Sequence, residues 1–250
     1  MNDTIKIKNK YNTKIIAHRG VSGLETENTC SAFVAAGNRS YYGIETDVHL
    51  TADGKFIICH DSSLKRVAGE DIIIEETKFD DLRKIILFNK DGQKSRGDLI
   101  LPTLEEYISI CQKYSKRAVL EIKGSDSNPV WPAEALYRMA DTIDKLGYIM
   151  GTTFISFGFE NLAVLRGKSR IYDMQFLCSN TDFDDHLGQM IDLRIGADIG
   201  DYYRFNHSDE AIRIMHNEGL QINCWTVDDP ERAEKYASWG VDFITSNILE

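Results

Sequence analysis

The chain has no apolar run of about 18 residues, which excludes a membrane-spanning helix and predicts no stable membrane insertion. Its first stretch, Met1 to Lys14, carries lysines but no apolar h-region, which argues against a secretory signal. It has no CxxC pair. The five cysteines, Cys30, Cys59, Cys111, Cys178 and Cys224, are odd in number, widely spaced and mostly set among apolar neighbours. They are expected to be reduced, buried thiols in a cytoplasmic protein. An excess of positive charge is also missing. The net charge is −10 at pH 7, which argues against nucleic acid and anionic membrane faces as partners. A small anionic substrate remains compatible, because local charges in a cleft outweigh the global balance. No low-complexity linker or charge block divides the chain.

What is present is ordinary globular composition, 42% hydrophobic and 27% charged over 250 residues. That length suits a (β/α)₈ barrel. Strand-like runs cover Lys14–His18, Gly43–Thr51, Lys55–His60, Ala118–Lys123, Thr153–Phe157, Ile171–Leu177, Ile195–Ile199, Leu220–Val227 and Phe243–Thr245. Helical patterns with readable ends lie between many of them. Thr103-Leu104-Glu105-Glu106 is a capping box ahead of a periodic segment reaching about Tyr114. Gly147 follows a predicted helix over Pro132–Leu146, and Gly219 and Gly240 end segments starting near Ser208 and Pro230. The alternation predicts one TIM-type α/β domain over residues 1–250. Nine candidate strands compete for eight places. Asp53-Gly54 is a hairpin signal, so the run over 55–60 is either an antiparallel arm or a barrel strand lacking its helix. The segment of about 62–101, after the second histidine strand, is long for a βα connection and reads as a small insertion over the barrel mouth.

Three short apolar runs end in chemistry: Ile16-Ala17-His18-Arg19-Gly20, Gly43-Ile44-Glu45-Thr46-Asp47 and Ile57-Ile58-Cys59-His60-Asp61. Glu45 and Asp47 share one strand face, as do Glu121 and Lys123 on a later strand. Charges inside apolar strands are costly unless paired or metal-bound. Three carboxylates without a metal-binding histidine pair favour a hard divalent cation, Mg²⁺ or Ca²⁺, over zinc. Buried ion pairs, such as Glu121 with Arg19, are the alternative. His18 and His60 end strands beside this acidic cluster and suit proton transfer in metal-assisted cleavage of a phosphate ester. His49 is in phase with Glu45 and Asp47 and reads as a rim residue. His186, His207 and His216 fall in helix or loop contexts and carry no assigned role. Trp225 ends another buried strand, where it forms either an apolar wall for a small organic group or part of the core.

In order along the chain, His18-Arg19-Gly20, Glu27-Asn28-Thr29, Gly43-Ile44-Glu45-Thr46-Asp47-Val48, His60-Asp61, Leu101-Pro102-Thr103-Leu104-Glu105-Glu106, Glu121-Ile122-Lys123, Trp225-Thr226-Val227 and Gly240-Val241-Asp242 resemble the glycerophosphodiester phosphodiesterase family. Each motif is weak alone; the ordered set is specific. The resemblance implies a TIM barrel that hydrolyses glycerophosphodiesters to glycerol 3-phosphate and an alcohol. It implies His18 and His60 as the acid/base pair, and Glu45, Asp47 and Glu121 as ligands of a divalent metal. Arg19 and Lys123 would hold the phosphate, and Trp225 would line the alcohol pocket. Thr26 stands where the family usually has proline, and His49 where glutamine is common. Rival readings are a lysophospholipase D or phosphoinositide phospholipase C-like enzyme on the same barrel, and a non-catalytic barrel that binds a phosphorylated metabolite.

Overall fold

A computed structural model describes residues 3–8, 10–124, 130–201 and 209–250. His207 and Ser208 lie outside these described residues. The strands are β1 (Lys14–Ala17), β2 (Gly43–Leu50), β3 (Phe56–Ile58), β4 (Arg117–Ile122), β5 (Thr152–Ser156), β6 (Asp173–Cys178), β7 (Gly196–Gly200), β8 (Ile222–Trp225) and β9 (Phe243–Ser246). All except β3 pair parallel with their sequence neighbours, and β1 pairs with both β2 and β9 to close a ring. The result is an eight-stranded TIM barrel.

The ninth run is the antiparallel arm. β3 pairs with β2 in the register Val48↔Ile58, His49↔Ile57 and Leu50↔Phe56. The turn between them is closed by Thr51 N–H donating to the Lys55 carbonyl at 2.9 Å. Gly54 takes the left-handed conformation there, with φ +73°.

Helices follow the strands: α1 (Cys30–Gly37), α2 (Lys65–Ala68), α3 (Phe79–Leu82), α4 (Leu104–Lys113), α5 (Ala133–Lys145), α6 (Phe159–Lys168), α7 (Asn180–Leu193), α8 (Glu210–Asn217) and α9 (Pro230–Trp239). The Thr103 capping box on α4 and the Asp229–Pro230 start of α9 form as the sequence predicts. None of these helices is long and apolar enough to cross a membrane, among the described residues.

Period-2 alternation splits each strand between two packed layers. Ile44, Val48, Leu120, Phe154, Phe176 and Ile222 point outward and pack beneath the helices. Ile16, Val119, Ile155, Leu177 and Phe243 point inward and fill the barrel. At its N-terminal end the Arg117 guanidinium donates to Thr153 Oγ1 at 2.8 Å and to Asp173 Oδ2 at 2.5 Å. Polar inward residues nearer the C-terminal end therefore face an open mouth.

The segment after β3 builds its own small core from Cys59, Leu64, Ala68, Ile74, Leu82 and Leu99, with their neighbours. It stands beside the mouth and is tied to the loop after β1: Thr26 Oγ1 donates to the Phe88 carbonyl at 3.2 Å, and Lys90 Nζ to the Ser22 carbonyl at 2.7 Å.

Candidate active site

The site begins where β1 ends. His18 N–H donates to the Ser246 carbonyl at 2.8 Å, the last barrel bond of that strand. Arg19 and Gly20 then both adopt positive φ, 53° and 75°, and fold the chain back over the mouth. A Cβ on Gly20 would lie 2.7 Å from Ala32 Cβ, so the turn needs glycine. The folded-back Arg19 N–H donates to Glu45 Oε2 at 2.7 Å.

Glu45 and Asp47 rise on one face of β2, and the β2–β4 register sets Asp47 directly beside Glu121. Oxygens of Glu45, Asp47 and Glu121 lie within 4.8 Å of one another, and all three residues are buried. Lys123 Nζ is 2.9 Å from Glu121 Oε1, an ion pair off hydrogen-bonding geometry, and 3.8 Å from Asp47 Oδ1, beyond hydrogen-bonding distance. Arg19 pairs not with Glu121 but with Glu27, at 2.9 Å, and more loosely with Asp47, at 3.7 Å. Asn28 Nδ2 donates to Asp47 Oδ2 at 2.8 Å, and Thr46 Oγ1 orients that amide by donating to Asn28 Oδ1 at 2.7 Å.

Three carboxylates thus share two cations, one of which also serves Glu27. Burial and the neighbouring charges of Asp47 and Glu121 push the Glu45 carboxyl well above its ordinary range. Glu121 is raised by burial and by Asp47, against the pull of Lys123. Burial also opposes ionisation of Asp47, but Lys123, His60 and Arg19 outweigh it and hold this carboxyl low. Asp47 Oδ1 and Glu121 Oε1 are buried without a hydrogen-bond donor. Hard oxygen donors, a surplus of negative charge and unfilled lone pairs fit a divalent cation of the Mg²⁺ or Ca²⁺ type.

The histidines flank this cluster. His18 Nε2 lies 4.0 Å from Glu45 Oε2. Its Nδ1 is 2.7 Å from Asn247 Oδ1. Asn247 Nδ2 donates to Asp228 Oδ2 at 2.6 Å. A carboxylate only accepts, so the Asn247 amide must turn its oxygen to His18. His18 therefore carries its proton on Nδ1 and leaves Nε2 bare towards the carboxylates. Burial and the Arg19 charge push its pKa down to about 4.

His60 is placed by the β2–β3 arm, where Cys59 N–H donates to the Asp47 carbonyl at 3.0 Å. Its Nδ1 is 2.6 Å from Asp61 Oδ1, and its Nε2 is 3.4 Å from Lys123 Nζ. Burial lowers its pKa, with Asp47 opposing. Asp61 Oδ2 accepts from Arg66 Nε at 2.6 Å, and Arg66 grips Glu27 through two bonds of 2.9 and 2.8 Å. A continuous charge chain, His60–Asp61–Arg66–Glu27–Arg19, thus links the two histidine loops.

His49 is fully buried rather than on the rim. Its ring bonds Glu75 Oε1 at 2.7 Å and the His60 carbonyl at 3.2 Å, pinning the inserted segment behind His60. Trp225 closes the other side with Phe157, ring centroids 5.6 Å apart edge to face. The cavity at the mouth, about 160 Å³, is lined by His18, His60, Glu121, Trp225 and Asp198, among others.

Residues 18–249 match the sequence profile of the Glycerophosphoryl diester phosphodiesterase family. The chain belongs to this family. It is accordingly a phosphoric diester hydrolase. A glycerophosphodiester phosphodiesterase of Caldanaerobacter subterraneus subsp. tengcongensis is 26% identical over 238 residues, 95% of each chain. Among solved structures, a glycerophosphodiester phosphodiesterase from Parabacteroides distasonis superposes with a TM-score of 0.73 at 27% identity, over 94% of this chain and 93% of that one. An Oleispira antarctica phosphodiesterase, solved with the product sn-glycerol-3-phosphate, has a TM-score of 0.81 at 22% identity and covers 94% of this chain and 93% of that one.

All eight residues singled out for the site meet at one mouth: His18, Arg19, Glu45, Asp47, His60, Glu121, Lys123 and Trp225. Sequence reasoning gave no role to Asp228, Asn247, Arg66 or Asp198. Asp228 and Asn247 do follow β8 and β9, and strand ends are where a phosphodiesterase barrel gathers its chemistry. Asp198 lies inside a buried strand, where a carboxylate is a signal in itself.

Proposed function

We propose that the protein hydrolyses glycerophosphodiesters to glycerol 3-phosphate and an alcohol, using His18 and His60 for proton transfer and a divalent cation held by Glu45, Asp47 and Glu121. The observation that carries this reading is two histidines flanking one buried carboxylate cluster, His18 Nε2 at 4.0 Å from Glu45 Oε2 and His60 Nε2 at 3.4 Å from Lys123 Nζ, which itself pairs with Glu121 and Asp47. When bound, the cation would lower the pKa of the attacking hydroxyl and offset charge on the phosphate oxygens.

The remaining work falls to side chains. Arg19 Nε is buried without an acceptor, so it offers a donor for a phosphate oxygen. Lys123 adds a point charge beside it. His18 has a neutral amide behind it and a depressed pKa, so it is empty at neutral pH and takes the proton from the attacking oxygen. His60 has the Asp61 carboxylate behind it, which opposes the burial that lowers its pKa and supports the imidazolium needed to deliver a proton to the departing alkoxide as the P–O bond breaks. Trp225 and Phe157 give an apolar wall to the glycerol carbons.

Among the described residues, Phe157 is the one exposed large apolar side chain that lines the cavity, which offers little to an acyl chain. This favours small head groups over lysolipids. A water-soluble diester substrate, a single catalytic domain over residues 1–250 and a cytoplasmic setting complete the reading.

The test is release of glycerol 3-phosphate from glycerophosphocholine, glycerophosphoethanolamine and bis-glycerophosphate, with and without chelator. Turnover of all three within about tenfold in kcat/KM is expected, since rim contacts alone supply about 1.4 kcal/mol. Preference for a long-chain lysolipid, or activity indifferent to chelator, would overturn it.

A further inference from the structure

Asp198 stands apart from the carboxylate cluster. It lies on β7 facing into the barrel, in register with Asn223 on β8. It lines the same cavity as His18, Glu45 and Trp225 while being only 1% exposed. Arg19 is engaged with Glu27 and Asp47, and Lys123 with Glu121 and Asp47. Asp198 is not among the three residues that converge as candidate ligands. Its Oδ1 has no hydrogen-bond partner, and neither does Asn223 Oδ1. The Asn223 amide gives one hydrogen to Thr245 Oγ1, at 2.8 Å, and supports the Asp198 carboxyl from the neighbouring strand, leaving Asp198 Oδ1 itself open. The Asp198 backbone carbonyl meanwhile accepts from Trp225 Nε1 at 3.2 Å, which fixes the indole wall against this strand.

A buried carboxyl oxygen with nothing to accept from is costly, and such groups call for an explanation. A phosphate would be drawn instead to Arg19 and Lys123. A hydroxyl both donates and accepts, so it can satisfy Asp198 while its carbon packs on Trp225. The cavity, about 160 Å³, suits a three-carbon polyol.

We propose that Asp198, backed by Asn223, is a specificity-determining residue that binds the terminal free hydroxyl of the substrate's glycerol unit. This rests on the glycerophosphodiester reading above and adds what selects glycerol within it.

The experiment compares glycerophosphocholine with its propane-1,2-diol counterpart, which keeps the hydroxyl next to the phosphoester but lacks the terminal one. Wild type should prefer the glycerol compound by at least about a hundredfold in kcat/KM, as expected of a site built to bond a hydroxyl. Asp198→Ala and Asp198→Leu should both cut that preference to within about fivefold, through loss on the glycerol compound. Neither variant should melt lower than wild type, because an unsatisfied buried group has been removed; the leucine variant also guards against a collapsed cavity. A parallel titration measures binding of glycerol 3-phosphate and propane-1,2-diol 1-phosphate, independent of turnover. A preserved preference in both variants overturns the assignment, while glycerol 3-phosphate release by wild type leaves the broader reading standing. If wild type turns over neither diester yet binds glycerol 3-phosphate through Asp198, the broader reading fails and the assignment stands.

Discussion

Asn247 Oδ1 lies 2.7 Å from His18 Nδ1, and its amide is locked by Asp228 behind it. Ser22 Oγ also donates to that same oxygen, at 2.7 Å. A residue three positions beyond β8 thus dictates which nitrogen of a β1 histidine faces the carboxylates. Asp228→Asn frees the Asn247 amide to flip and should lower kcat by about 10- to 100-fold, the usual cost of losing an outer-shell partner, with KM little changed. Steady-state kinetics checks this. An equal rise in KM would show that Asp228 shapes binding rather than the tautomer.

Replacing His18 or His60 by alanine should each reduce kcat by about 10²–10⁴-fold, the range for a positioned acid or base. The two act on one proton inventory, so the double variant should lose far less than the product of the singles. Single-turnover rates across the four proteins decide it. Full additivity would mean that the histidines serve unrelated steps.

Glu45→Gln and Asp47→Asn should weaken binding of Mg²⁺ or Ca²⁺ and lower activity together. Calorimetric titration of the chelator-treated protein supplies a readout that does not depend on turnover. Unchanged affinity in both variants would return the cluster to a set of buried ion pairs.

Stability without metal should fall as pH rises. The Glu121 carboxyl is raised from 4.5 to about 7, and burial raises Asp198 from 3.8 to about 8. Below the unfolded values both groups are protonated in both states and contribute nothing. Between the unfolded and folded values the native state holds more protons, so unfolding free energy declines with pH. Above the folded values the full cost of the buried charges remains. Melting temperature in chelator should therefore drop between about pH 5 and pH 8, less steeply below about pH 6.5, where His18, depressed from 6.5 to about 4, takes up a proton on unfolding, and saturating divalent cation should flatten the slope by neutralising the cluster. A Tm rising across this window in chelator would contradict the burial argument.

The charge chain through Arg66 predicts a specific weakness. Arg66→Ala removes the link between Asp61 and Glu27 and leaves both acids beside the site with fewer partners. Activity should fall while the barrel stays folded, since Arg66 belongs to the inserted segment and not to the strand ring. Circular dichroism alongside kinetics separates the two effects.

Much of this molecule was determined by the sequence itself. Period-2 apolar runs alternating with capped helices specify a parallel barrel, because strands buried on both faces need helices outside and packed side chains within. The i, i+2 carboxylates on β2 and the histidines at strand ends were legible for the same reason: alternation dictates which side chains share a face. The hairpin alternative at Asp53-Gly54 stayed open because local turn chemistry does not say how many strands a ring will accept. Closure decided it, since β1 meets both β2 and β9 and leaves β3 outside. Tertiary structure alone also decided the partners. Glu121 pairs with Lys123 rather than Arg19, His49 is sealed beneath Glu75, and Asn247 and Asp228 set the His18 tautomer. Asp198 and Asn223 are 25 positions apart, and only the β7–β8 register brings them side by side. Periodicity reports the face of a strand, but strand order and register choose the neighbours across it, and those neighbours set charge, proton position and what a cavity can bind.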